Sequence, residues 1–167
     1  MNTLKNIQEK ILPGNKLNET IESLKKANKS IVFTNGCFDI LHKGHITYLS
    51  EAADLGDIMV IGLNSDDSVR RIKGTNRPVQ DQDARAMALA SLFFVNFVVL
   101  FEEDTPYELI RTVQPDTLVK GGDYDPAEIA GYDLVTESGG RVLTIPLVKG
   151  VSTTSIIERL SANDRSD

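Results

Sequence analysis

The chain contains two histidines, and they lie three positions apart in His42-Lys43-Gly44-His45. The first belongs to a loop and the second to the head of an expected helix. A helix start offers unpaired N–H groups and the positive end of a dipole. Gly44 is expected to let a ligand approach the backbone closely. Two imidazoles there would aim donors at an oxyanion, and most usefully at a phosphorus centre gaining charge during transfer. Helix-capping or surface histidines are the plainer reading. Zinc is a further one, but only Cys37 and Asp39 stand near enough to add ligands, and the usual paired spacings are missing.

Other segments carry compatible chemistry. In Lys120-Gly121-Gly122-Asp123-Tyr124, two glycines would let the backbone close over a base or ribose, although a simple tight turn looks the same. Gly150-Val151-Ser152-Thr153-Thr154-Ser155 joins a strand to a helix, where hydroxyls and N–H groups can cradle an anion while Ser152 caps the helix. Arg70-Arg71-Ile72-Lys73-Gly74, with Arg77, is the densest positive cluster, either a solvated helix end or a phosphate clamp. Asp39 and Asp123 are expected at the ligand edge, where either could hold Mg²⁺. Cys37 reads as a small buried residue beside a strand rather than a nucleophile. Neither the Gly-x-x-x-x-Gly-Lys-Ser/Thr loop nor a Gly-x-Gly-x-x-Gly after a strand is present, which weakens kinase and dehydrogenase readings.

These segments need elements to position them. An amphipathic helix is expected over 15–28, then a strand at Ile31-Val32-Phe33-Thr34. A helix follows from about Gly44 to Leu55. Further strands are expected at 58–63, 97–101, 117–119 and 141–145. The intervening helices span 81–92, a segment opened by Thr105-Pro106, a short stretch before Gly139-Gly140, and finally Thr153 to Leu160. The alternation predicts an α/β fold, a Rossmann-like doubly wound parallel five-stranded sheet with helices on both faces. Segments 34–45, 119–124 and 148–154 then all fall beyond carboxyl ends of strands, where such sheets bind ligands.

Composition sets the outer bounds. The 167 residues, 41% hydrophobic and 25% charged, suit one soluble domain over 1–167. Its core is expected over about 17–160, with a helix before the first strand and a polar, frayed tail over 161–167. The net charge of −6 argues against a nucleic-acid binder. One cysteine allows no internal disulfide. The first residues lack the apolar core of a secretory signal, and no apolar run reaches the roughly 18 residues of a membrane span. A cytoplasmic protein with no membrane association is the expectation.

The segment Asn35-Gly36-Cys37-Phe38-Asp39-Ile40-Leu41-His42-Lys43-Gly44-His45 resembles the first signature of the cytidylyltransferase-like nucleotidyltransferases, His-x-Gly-His. Gly150-Val151-Ser152-Thr153-Thr154 resembles their second. Within that superfamily the chain is similar to the D-glycero-β-D-manno-heptose 1-phosphate adenylyltransferases. The similarity runs through Lys73-Gly74, Arg77-Pro78-Val79, Asp104-Thr105-Pro106 and the stretch from Pro115 to Tyr124. The resemblance implies transfer of AMP from ATP to the heptose 1-phosphate, with Mg²⁺, for the lipopolysaccharide core. It implies a homodimer and a separate sugar kinase supplying the substrate. It gives His42, His45 and Lys73 catalytic roles. Asn35, Gly36, Cys37, Phe38, Gly44, Lys120, Gly121, Gly122, Asp123, Ser152, Thr153 and Thr154 would join the histidines around the nucleotide. Asp39, Lys43, Lys73 and Arg77 would meet the sugar phosphate. One departure bears on the acceptor. Glycerol-3-phosphate cytidylyltransferases carry an Arg in Pro-Arg-Thr-Glu-Gly, and here the stretch is Pro146-Leu147-Val148-Lys149-Gly150. Leu147 cannot supply that charge, although Lys120 or Lys149 could replace it in part. Cytidylyl transfer to a phosphorylated alcohol or sugar, and a non-catalytic nucleotide sensor, are the alternatives.

Overall fold

The computed structural model describes residues 2–148 and 150–163. Five parallel strands form one sheet in the order β3-β2-β1-β4-β5: β1 Ile31–Gly36, β2 Ile58–Asn64, β3 Phe97–Phe101, β4 Thr117–Gly121 and β5 Arg141–Ile145. Successive residues of a strand point to opposite faces, so the continuous apolar runs feed two cores at once. Val32, Met59, Ile61 and Val119 face one side, packed on α3 (Lys43–Ala53) and α5 (Gln82–Ala90). Ile31, Phe33, Val60 and Leu118 face the other, packed on α2 (Gly14–Lys26), α6 (Tyr107–Val113) and α7 (Tyr132–Glu137). This is the doubly wound architecture expected from the alternation.

The structure differs from expectation at several element ends. β1, β2 and β4 each run further than the sequence pattern, through Gly36, Asn64 and Gly121. Parallel pairing holds Asn35 against Gly62 and Gly36 against Leu63, so polar residues that read as loop are strand. Two helices were not foreseen as elements. α1 (Thr3–Glu9) lies outside the amphipathic pattern, and α4 (Asp66–Lys73) takes up the basic cluster, capped by Ser65 Oγ accepting from Ser68 N. Pro106 stands at the N-cap of α6, one position before the first turn. The last helix, α8, runs from Thr153 to Asn163, past the expected end; residues 164–167 of the expected tail lie outside the described residues. No helix among the described residues is long and apolar enough to cross a membrane.

Candidate active site

The sheet reverses direction of winding between β1 and β4, and the ladder there is short. It pairs Val32 with Thr117 and Phe33 with Leu118, whereas β1 and β2 pair along six positions. Beyond Phe33 and Leu118 the carboxyl ends part and leave a cleft at the switch point. Tyr48 of α3 braces the gap. Its buried hydroxyl meets Thr34 Oγ1 on β1 and donates to the Val119 carbonyl on β4 at 3.2 Å. Burial pushes its pKa up to about 12, so it remains a neutral donor. Lys120 Nζ crosses higher up, donating to Asn35 Oδ1 at 3.4 Å.

The loop after β1 builds the floor of the cleft. Phe38 sits at φ +42, a conformation L-residues seldom adopt. That turn carries its ring back over Gly36, where a Cβ would come within 3.0 Å of the ring. The Phe38 edge then meets His45 with centroids 5.3 Å apart. His42 caps α3, its Nδ1 accepting from His45 N at 3.3 Å. An accepting Nδ1 places the proton on Nε2, which is thereby a donor. The two imidazoles stack at 3.8 Å and 16°. Capping and anion binding are therefore compatible uses of one histidine. The expected role of Gly44 needs correction. Its open side is filled by the His42 ring, 3.0 Å from where a Cβ would stand, so it makes room for the imidazole rather than for a ligand.

Burial favours the neutral form of both rings. Burial lowers the pKa of His42, and burial with the neighbouring His42 and Lys73 lowers His45 to about 4. His45 Nδ1 is buried without a hydrogen bond of ordinary geometry, and the backbone of Ile40 near the ring partly offsets the lowering. Lys120 is also lowered, first by burial and further by Lys73. Burial raises the Cys37 thiol, although surrounding cations oppose this. A thiol so held is a poor nucleophile. The cleft thus gathers cationic and N–H donor groups within a chain of net charge −6.

Asp39 is placed where expected but is occupied otherwise. Its Oδ1 accepts from Val79 N and Gln80 N, and its Oδ2 from Val79 N and the Nε of Arg77 at 2.6 Å. A carboxylate offers about four lone-pair sites, so these donors use its capacity. Burial alone would raise its pKa, but the Gln80 and Val79 amides and Arg77 hold it below the ordinary value. In this structure Asp39, expected as a Mg²⁺ or sugar-phosphate ligand, instead clamps 77–80 to the floor of the cleft. Asp123 is exposed, and among the described residues no three His, Cys, Asp or Glu groups are gathered as a metal site would need. The residues present do not fit a Mg²⁺ site built by protein alone.

The cleft is lined by Asn35, Gly36, Cys37, Phe38 and Asp39 from β1 and its loop, and by His45, Lys73, Arg77, Lys120, Gly121 and Thr153 from elsewhere in the chain. Other expected residues stand aside from it. Lys43, Ser152 and Thr154 are exposed, and Gly122, at φ +124, makes room for the Tyr124 ring. Ser152 and Ser155 cap each other reciprocally, each amide donating to the other's Oγ at 3.1 Å. Arg70 and Arg71 pair with Asp67 and Asp104 at the surface, so the basic cluster divides, and only Lys73 and Arg77 border the cleft. Lys149 lies outside the described residues. Two builders of the site went unread, Tyr48 and Arg85, and Leu147, read only as lacking the charge of an Arg, lines the cleft against Gly121. Arg85 is fully buried and donates to the carbonyls of Cys37, Asn64 and Gln80 and to Asp66 Oδ1. The one sequence signal for Arg85 was a charge on the inward side of an otherwise apolar helical stripe. A larger concavity, about 710 Å³, lies at the amino ends of β1, β4 and β5, among Lys25, Lys29, Pro115 and Arg141, away from this chemistry.

Comparison with known proteins gives this geometry a family. The cytidylyltransferase-like family model matches residues 33–159, from the middle of β1 into α8. The chain belongs to the cytidylyltransferase-like family. Over 144 residues it is 55% identical to the bifunctional protein HldE of Syntrophotalea carbinolica, covering 86% of this chain and 29% of that protein. The chain thus spans under a third of the length of that curated relative. The crystal structure of a lipopolysaccharide core biosynthesis protein from Thermoplasma volcanium is similar at 30% identity and a TM-score of 0.59, over 74% of this chain and 99% of that one. A pantoate-beta-alanine ligase from Francisella tularensis, solved with a beta-gamma ATP and beta-alanine, shares the fold at 14% identity and a TM-score of 0.56, over 94% and 80% of the two chains.

Proposed function

We propose that the chain transfers AMP from ATP to D-glycero-β-D-manno-heptose 1-phosphate, giving ADP-heptose and pyrophosphate for the lipopolysaccharide core. The observation that carries the reading is the imidazole pair at the N-terminus of α3: His45 lines a cleft that also holds Lys73 and Lys120, and His42 stacks against His45 beside it. An oxygen of the sugar phosphate attacks the α-phosphorus, a P–O bond forms, and the bond to the bridging oxygen of the β-phosphate breaks. Its electron pair leaves with pyrophosphate. A phosphate monoester has its second pKa near 6, so the nucleophile is already ionised at neutral pH and needs no general base. What the step needs is neutralisation of charge gathering on the α-phosphate oxygens. The Nε2–H of His42, the His45 ring, Lys73 and the α3 amides are the groups for it. A divalent cation, Mg²⁺ by expectation, would enter with the triphosphate, its charge balancing the phosphate oxygens.

The similarity to a lipopolysaccharide core biosynthesis protein and to HldE proteins supports the acceptor class. Leu147 favours this reading over glycerol-3-phosphate cytidylyl transfer, because it offers an apolar cleft wall where the latter needs an Arg. A sensor that only binds nucleotide would not require paired imidazoles aimed at the reacting phosphorus. Action in the cytoplasm and a homodimer complete the proposal. The test is pyrophosphate release with ATP, CTP and GTP crossed against heptose 1-phosphate and glycerol 3-phosphate. Turnover is expected with ATP and the heptose. Turnover with CTP alone overturns the adenylyl reading.

A further inference from the structure

Behind Lys120 and Asn35 lies a second hollow that nothing above uses. It holds about 160 Å³, as does the cleft with the histidines, and the two share Asn35 and Lys120 as a common sill. Its walls come from the opposite layer of the fold: Pro106 ahead of α6, Tyr124, and Glu128, Ile129 and Ala130. Its volume equals about five liquid waters, so its occupant is small, and its lining rather than its size says what it takes. The chemistry is mixed. Pro106, Ile129 and Ala130 give an apolar wall, while Glu128, Tyr124, Asn35 and Lys120 bring polar heads. Among the described residues no cation pairs with Glu128, and no carboxylate pairs with Lys120. The two charges are therefore separated across the hollow. A carboxylate repels phosphate but accepts from hydroxyls, so the anion of a ligand belongs at the sill and its hydroxyls at Glu128.

We infer that this hollow is the subsite for the sugar ring of the acceptor, with Glu128 and Tyr124 reading its hydroxyls and Lys120 meeting its anomeric phosphate at the sill. The inference rests on the adenylyl-transfer reading and adds residues that fix which sugar is accepted. A site built to pair with particular hydroxyls discriminates far better than an apolar one, because the wrong ligand leaves its polar groups unpaired. The orientation also follows. A ring in this hollow puts its phosphate on the histidine side of Lys120, where the α-phosphorus of ATP is expected.

The experiment is steady-state pyrophosphate release by the full chain, varying D-glycero-β-D-manno-heptose 1-phosphate and ATP in turn. Glu128→Gln and Tyr124→Phe alter exposed side chains, and Ala130→Leu fills the hollow without removing a hydrogen bond; melting temperatures check that each folds. For Glu128→Gln the acceptor KM is expected to rise by about tenfold or more, the cost of weakening a bond to a charged group. Tyr124→Phe and Ala130→Leu should shift it in the same direction, and the KM for ATP should stay as it was in all three. Equal rises in both KM values would assign the hollow to the nucleotide and overturn the inference. So would folded variants with unchanged acceptor KM. If the unsubstituted chain turns over no sugar 1-phosphate, the underlying reading falls first and the inference with it.

Discussion

At the scale of single residues, the decisive fact is how tightly the imidazole pair is built into the start of α3. Gly44 shows it. Alanine is a better helix former than glycine by about 1 kcal/mol, so propensity alone predicts that Gly44→Ala stabilises the chain. Yet a Cβ at Gly44 meets the His42 ring at 3.0 Å and would push the imidazole off its cap. Turnover is expected to fall about tenfold or more while the melting temperature holds or rises, since a misplaced donor costs catalysis without costing fold. A Gly44→Ala protein with full kcat would remove His42 from the mechanism. His45 makes a pH prediction. Its folded pKa is about 4, against roughly 6.5 when unfolded. Between those values the unfolded chain binds more protons, so stability falls as pH drops from about 6.5 toward 4 and is unaffected above that window. Urea midpoints across this range should decline less steeply in His45→Gln, with His42 leaving part of the slope. Identical slopes would mean that His45 is not held neutral by burial. The motif was plain in the sequence because both histidines and the glycine are local. That Gly44 serves His42 was not, because no spacing rule says which side of a helix start a ring folds onto.

Between elements, the site depends on contacts made far apart in the chain. Asp39 and Arg85 fasten the stretch Arg77–Gln80 to the loop after β1 from two directions, through the Asp39 carboxylate and through Gln80 O. Asp39→Ala would leave Arg77 largely buried and two amides unmet, and removing one member of such a pair costs about 3–5 kcal/mol. Denaturant unfolding should show that loss, with turnover falling as Arg77 is released. Loss of activity at unchanged stability would instead mean that Asp39 acts on substrate or metal. Tyr48→Phe is a milder test of the other brace. Losing its hydroxyl should cost about 1 kcal/mol, leaving Thr34 and the Val119 carbonyl without it. The sequence reading placed Asp39 at the site as a metal or sugar-phosphate ligand, and the structure engages it with Arg77 and two backbone amides. A carboxylate beside a phosphate loop is chemically fit to hold Mg²⁺, and its donors lie 38 to 41 positions away. Tyr48 and Arg85 escaped for the same reason: each sits inside a regular helix pattern, and its purpose appears only when β1, β2 and β4 are brought beside it.

For the whole molecule, the pattern of strands and helices was legible because both faces of the sheet are covered, which forces apolar runs in every strand. The ends of elements were less so, because pairing extended β1 and β4 through polar residues that carry the chemistry. The same architecture predicts where nucleotide binding will be felt. α8 brings Thr153 to the cleft, yet none of its residues from Thr153 to Ala162 is fully buried, and Leu160 remains 60% exposed. Helices get most of their stability from packing an apolar face, so α8 should open more readily than α3 or α5, whose inward faces are sealed. A nucleotide held between the floor of the cleft and the Ser152–Thr154 turn would bind the closed form of α8 and disfavour the open one. Amide exchange over 153–160 should therefore slow on adding a non-hydrolysable ATP analogue with Mg²⁺, and by more than exchange in α2 or α6 on the far face. Mg²⁺ without nucleotide should leave exchange unchanged, because the carboxylate best placed to receive it is already occupied by Arg77, Val79 and Gln80. Protection of α8 by Mg²⁺ alone would reveal a protein-borne cation site. Uniform slowing across both faces would detach the Ser152–Thr154 turn from the nucleotide.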